Sequence, residues 1–199
     1  RNAENYGLGG SHKVAFNYAI ENNFDYVIVL HGDDQGSISD MIPVLKNGAF
    51  KKYDCCLGGR FAKGSKLVGY SKFRTFGNFV FNVIFSISVG KSILDLGAGL
   101  NLYSTKMLKS KYYEKFPDNL TFNCYMLFAL ASYKQTYRFV PIVWREEDQV
   151  SNVKMTRQAW QTLKMAVSYF FGRKKFMLKD AREKKFKEYK SDVVFSTED

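Results

Sequence analysis

Asp25-Tyr26-Val27-Ile28-Val29-Leu30 runs directly into His31-Gly32-Asp33-Asp34-Gln35-Gly36. The first half is a continuous apolar run after Asn22-Asn23, the pattern of a strand buried on both faces. The second half is a tight, glycine-flanked turn loaded with carboxylates. Such a turn adds little to folding but suits a hard divalent cation. Mg²⁺ and Mn²⁺ take oxygen ligands and commonly share the ion with substrate phosphates. Asp33 and Gln35, two apart, can point the same way from an extended turn. The plainer alternative, an Asp-rich loop doing turn work only, stays open on this stretch alone.

Working outward, helical and strand patterns alternate. Residues 14–20 read as a helix, with Gly9, Gly10 and Ser11 upstream as a loop and cap. Residues 39–45 read as a short helix capped by Ser39. A second buried strand covers 53–57 and ends at Gly58-Gly59-Arg60. A long helix over 71–89, apolar on a wide face, reads as buried. Residues 101–103 suggest a short strand, 122–133 a helix and 137–144 a third strong strand. From Met155 onward everything reads as helical, including a very basic stretch over 173–190. Strands alternating with helices predict an α/β layer fold, with polar residues gathered at the strand ends where ligands of such sheets sit.

The chain has 199 residues, a net charge of +11, 46% hydrophobic and 17% aromatic residues, which excludes a disordered or low-complexity protein. Three cysteines, an odd number with Cys55 and Cys56 adjacent, make no disulfide framework, and a reducing compartment is expected. The sequence opens on Arg1-Asn2-Ala3 without a basic n-region or apolar h-region, so no signal peptide is expected here.

Three further features bear on the carboxylate turn. Arg60 ends the second strand, at the same sheet edge if the strands are parallel, and a guanidinium facing a metal-bound diphosphate is a common pairing. Arg74 stands in the first turn of the long apolar helix, where a charge needs a partner or a ligand. Asp95-Leu96-Gly97-Ala98-Gly99 is another carboxylate in a Gly-rich turn. The stretch 93–99 resembles the first motif of class I S-adenosylmethionine methyltransferases. In that fold the turn follows a strand and opens a helix, whereas here Leu100-Asn101-Leu102-Tyr103 comes next and Asn101 stands at the third glycine position.

As a set, these residues resemble family 2 glycosyltransferases of the GT-A fold, closest to the dolichyl- or polyprenyl-phosphate sugar transferase-like branch. Asn5-Tyr6-Gly7 with Gly10, Ala15 and Ala19 is similar to an Asn-x-Gly-x-x-x-Ala helix opening. His31 to Gln35 resembles an Asp-x-Asp-x-Gln metal turn, followed by Asp40 and Pro43. Gly58-Gly59-Arg60-Phe61 resembles Gly-Ser-Arg-Phe, and Arg74 with Asn78 resembles Arg-x-x-x-Asn. Asp95 to Asn101 is similar to Asp-x-x-x-Gly-Phe-Arg, with Leu100 and Asn101 departing from it. Val140-Pro141-Ile142, then Ser151 and Lys154, complete the series.

The resemblance implies a mixed, mostly parallel GT-A sheet flanked by helices. Residues 1–154 would form the later part of the domain, lacking an earlier β-α-β segment, and 155–199 a helical, basic extension. It implies transfer of a sugar, with inversion, from a UDP- or GDP-sugar to a polyprenyl phosphate or a growing surface glycan. Asp33, Gln35 and His31 would hold the divalent cation, Mg²⁺ or Mn²⁺, with His31 replacing the more usual Asp. Ser151 and Lys154 would stand near the donor. Arg60 would offset charge on the departing nucleoside diphosphate. Asp95 would act as base or orient the acceptor, and Arg74 would hold a lipid phosphate. The competing readings are the methyltransferase and a basic binding module without catalysis.

Residues 173–190 hold nine basic side chains against Asp180, Glu183 and Glu188. With Trp160, Tyr169, Phe170, Phe171 and Phe176 nearby, residues 158–190 are expected to meet an anionic membrane face. No nucleic-acid motif accompanies the charge, so nucleic acid is not expected as a partner. The expected location is the cytoplasm, peripheral at the membrane.

Overall fold

The computed structural model of the chain describes residues 1–146 and 155–195. Ser151 and Lys154, expected near the donor, lie outside the described residues. Helix α1 (Gly7–Glu21) starts seven residues earlier than its apolar pattern suggests. Asn5 Oδ1 accepts from the Gly7 amide at 3.1 Å, which fixes the entry turn. Gly9, Gly10 and Ser11 are not a loop and cap but lie within the helix, and a Cβ at Gly9 would collide with the Pro117 carbonyl. The glycine lets α1 approach the 116–122 segment closely, and that segment in turn caps buried Lys13.

Strands β1 (Tyr26–Leu30), β2 (Cys55–Gly59), β4 (Leu100–Ser104) and β5 (Tyr137–Pro141) form a mixed sheet in the order β1-β4-β2-β5. β4 is antiparallel to both its neighbours, and β2–β5 is the parallel pair. The expectation of a mostly parallel sheet is therefore corrected at the level of pairing. Three strands still point the same way, but β4 stands between β1 and β2 and reverses both contacts. β2 lies two residues later than the expected 53–57, taking in Gly58 and Gly59, and is buried throughout. β1 is an apolar run yet is half-exposed, because it lies at the sheet edge with β4 on one side only.

The sheet is covered on both faces, giving an α/β fold with a helix-flanked mixed sheet. Cys55, Leu57 and Tyr103 face a cluster that includes Phe16 of α1 and Phe128 of α5 (Phe122–Ser132). Cys56, Leu100 and Leu102 face the other side, with Val44 of α2 (Ile42–Lys46) and Trp144. The adjacent cysteines thus belong to opposite layers, as strand alternation requires. The cap of the turn before α2 is Ser37 rather than Ser39: its side chain accepts from the Ser39 amide. The 137–144 run divides at Ile142 into β5 and β6 (Val143–Arg145). β6 leaves the main sheet and pairs in parallel with β3 (Lys66–Val68), a strand the apolar pattern does not mark.

α3 (Lys72–Val89) and α6 (Met155–Leu178) pack beside α5, and a short helix α4 (Thr105–Leu108) follows β4. α3 is not the buried helix its composition suggests, since only Asn82, Phe85, Ser88 and Val89 are enclosed. α6 kinks at Gly172 and ends at Leu178, so the helical reading of 179–190 is also corrected. That stretch folds back as a strap: Tyr189 is buried against Tyr6, and Asn2 bridges Ser191. Lys13 Nζ sits beneath the strap with no exposure, donating to Asp118 Oδ1 and the Phe116 carbonyl, both at 2.6 Å. Burial pulls its pKa down, partly offset by Asp118. Among the described residues no helix is long and apolar enough to cross a membrane.

Candidate functional site

The register brings three segment ends to one edge of the sheet. Leu30 lies opposite Leu100, Leu57 opposite Asn101, and Gly59 opposite Pro141. The turn after β1, Arg60 after β2 and the 95–99 turn before β4 therefore meet there.

Arg60 and Asp95 form its centre. Arg60 Nε and Nη2 donate to Asp95 Oδ2 and Oδ1 at 2.8 and 2.7 Å, and the Arg60 amide adds a third bond to Oδ2 at 2.8 Å. The Gly97 amide donates to Oδ1 at 3.0 Å. Asp95 is enclosed, at 3% exposure, so both oxygens are occupied in the resting state. Burial opposes the charge on Arg60, but Asp95 more than offsets it and the guanidinium pKa is raised. This geometry makes Asp95 a positioning group for Arg60. The guanidinium lies 5.2 Å from the Trp144 ring and 5.7 Å from the Tyr70 ring, measured to the centroids, which fixes it in a partly aromatic cage.

Tyr70 links this pair to α3. Its Oη accepts from Asn78 Nδ2 at 2.7 Å and from Arg60 Nη1 at 3.3 Å. With two bonds accepted, its own proton is left to donate elsewhere. Arg74, one turn before Asn78, stacks 5.5 Å from the same ring and pairs with Glu146. Arg74 and Asn78 thus meet at the Tyr70 ring, and Asn78 Nδ2 also donates to the Arg74 carbonyl at 2.9 Å. Tyr70, Trp144 and Glu146 had no signal in the sequence, since their roles depend on the β3–β6 pairing.

The carboxylate turn is tied to the same cluster. The Arg145 amide donates to the Gln35 carbonyl at 2.9 Å, and Gly36 lies against the Trp144 ring. Asp33 Oδ1 accepts from the Gln35 amide at 3.3 Å, and Asp34 takes a left-handed φ of 58°. Asp40 does not join the cluster; its Oδ2 accepts from the Val143 amide at 2.9 Å and anchors β6. His31 is turned inward. Its ring lies on Gly99, where a Cβ would come within 2.7 Å, and meets the His12 ring edge-on at 5.8 Å. Its Nε2 is enclosed without a hydrogen-bond partner among the described residues. Burial lowers the pKa of His31, and that of His12 to about 4, so both rings are neutral near pH 7.

A divalent cation fits part of the expected ligand set. Asp33 and Gln35 offer oxygen atoms, the chemistry Mg²⁺ and Mn²⁺ prefer. His31 contributes poorly, because its Nε2 is enclosed and its ring lies against Gly99 and His12. Among the described residues no three His, Cys, Asp or Glu side chains form a metal cage. The methyltransferase motif lacks its context: 93–99 follows α3 and leads into β4, neither following a strand nor opening a helix. Compared with known proteins, the chain matches no family model, and no curated protein matches it.

Proposed function

We propose that the chain carries the metal-turn and acceptor side of a glycosyltransferase that uses a nucleotide-sugar donor. The observation supporting this most is the convergence of the Asp33 turn, the Arg60–Asp95 pair and the Tyr70–Arg74–Asn78 group at one sheet edge. The charge balance adds to it. Arg60 and Arg74 are already paired with Asp95 and Glu146, so little of their charge is left for a diphosphate unless a cation is added. A divalent ion held by Asp33 and Gln35 would supply that charge when bound, neutralising the diphosphate as it departs.

The chain's own groups have distinct parts. Asp95 holds Arg60 in one orientation, with two of its five N–H groups outside the bonds described above. These can meet a phosphoryl oxygen as charge grows there. Tyr70 donates its proton to an acceptor or donor oxygen. Arg74, less buried than Arg60, can exchange Glu146 for an anionic acceptor such as a polyprenyl phosphate. In the reaction an acceptor oxygen forms a bond to the anomeric carbon as the bond to the diphosphate oxygen breaks. An acceptor that is already an anion needs no strong base, consistent with an Asp95 committed to Arg60.

The test is titration calorimetry of the native full-length protein with UDP- and GDP-sugars, with and without Mn²⁺, and separately with S-adenosylmethionine. Metal-dependent binding of one nucleotide sugar is expected, lost in Asp33→Ala with an unchanged melting temperature. Binding of S-adenosylmethionine alone, or unaltered donor binding in Asp33→Ala, would sink the reading.

A further inference from the structure

α3 is apolar on two faces. One face carries Phe85 and Val89 into the core. On the other, Phe73, Phe76, Val80, Val83 and Ile87 recur at alternating three- and four-residue steps, a continuous stripe along the helix. That stripe is open to solvent, with Phe73 at 74%, Phe76 at 67% and Ile87 at 64% exposure. The neighbouring α6 repeats the arrangement with Trp160, Val167, Phe170 and Phe171, the last 83% exposed. The two helices are packed together: Arg173 Nη2 donates to the Ser88 carbonyl at 2.9 Å, and Phe128 stacks between Phe85 and Tyr169. Two exposed apolar stripes on adjacent helices are far more than scattered surface hydrophobes.

The charge around them is of one sign. No Asp or Glu occurs between Asp54 and Asp95, or between Asp148 and Asp180. Lys72, Lys91, Arg157, Lys164, Lys174 and Lys175 are exposed on or beside the two helices. A second copy of the chain would bring bases against bases with no acid to pair them. An anionic lipid surface answers both features, taking the aromatic stripes among its acyl chains and the bases at its headgroups. Neither helix is long and apolar enough to cross.

We propose that α3 and the first part of α6 form a platform that docks in the plane of an anionic membrane. This moves the contact expected over 158–190. Tyr169 and Phe176 belong to the core, and beyond α6 three of the six bases up to Lys190 are paired: Arg182 with Asp180, Lys184 with Glu4 and Lys190 with Glu188. The proposal rests on this surface and not on sugar transfer, so either can fail without the other.

The test is co-sedimentation of the full chain with vesicles of phosphatidylcholine alone, or with phosphatidylglycerol at roughly a 7:3 ratio. Salt-sensitive binding to the anionic vesicles is expected, with the exposed Trp160 emission shifting to shorter wavelength. The triple variant Phe73→Ser, Phe76→Ser, Ile87→Ser should bind about tenfold less while keeping the wild-type melting temperature. Lys184→Gln with Lys187→Gln, on the strap, should bind as wild type. Three results would overturn the proposal: no vesicle binding by the wild type, undiminished binding by the triple variant, or loss confined to the strap variant. A concentration-dependent dimer abolished by the triple variant would assign the stripe to a second copy instead.

Discussion

α5 and α3 are the two most apolar of the long helices, and they meet opposite environments. α5 carries no charged residue and is enclosed from Phe122 to Leu130. α3 is nearly as apolar after its first turn, yet half of its circumference faces water. The cause is position. α5 is held among α1, α3 and α6 and against the sheet, whereas α3 packs against α5 and α6 with its outer side uncovered. Apolar composition therefore reports what a helix can bury, while the number of neighbours decides what it does bury. The uncovered half of α3 is where that rule leaves an unspent apolar surface.

The contrast can be broken or sharpened by substitution, starting with the largest effect. Phe128→Ala in α5 removes the ring stacked on Phe85 and Tyr169, and should lower unfolding stability by about 3–5 kcal/mol in urea denaturation. Next comes pH, because α5 closes even a titratable ring away from water. His12 lies 5.1 Å from the Phe122 ring, and burial lowers its pKa from 6.5 to about 4. A folded-state pKa below the unfolded one gives stability that is complete above pH 6.5 and lost as pH falls. Chemical denaturation should show a loss of about 3 kcal/mol by about pH 4 from this group, flattened in His12→Phe. His31, shifted in the same direction, adds to the same slope.

On the covered face of α3, Asn82 Nδ2 donates to the Leu94 carbonyl at 2.6 Å. Asn82→Ala should cost about 1–2 kcal/mol, read by thermal unfolding, since that carbonyl loses its donor. The smallest effect belongs to the open face: Phe76→Ser should change stability by less than about 0.5 kcal/mol. A loss comparable to that of Phe128→Ala would mean the stripe is already covered within the fold, ending the contrast.

The legible parts of this fold were those in which burial and local pattern agree. β2 and α5 are enclosed and carry the apolar runs Cys55-Cys56-Leu57 and Tyr125 to Ala131. β1 carries the same signal but not the same burial, since nothing local reports that β4 flanks it on one side only. β3 and β6 were obscured by their short, exposed or split apolar pattern. At the site, Arg60, Asp95 and Arg74 stand out by type and setting, and Asn78 only through the resemblance to an Arg-x-x-x-Asn motif. That Asp95 grips Arg60 was not legible, because it depends on the register of β4 against β2. Glu146 and Tyr70 were silent for the same reason, lying far apart in sequence and joined through the small sheet.

The position of β4 also bears on how the chain reaches this state. Every ladder joins strands that are not consecutive: β1 with β4, β4 with β2, β2 with β5, and β3 with β6. No hairpin can seed the sheet, and each pairing must first close a long loop, so contact order is high and folding correspondingly slow. During synthesis β1 and β2 emerge well before the strand that belongs between them. The apolar runs that specify the sheet are then the segments most in need of protection on the ribosome, until Leu100 to Ser104 arrives to join them.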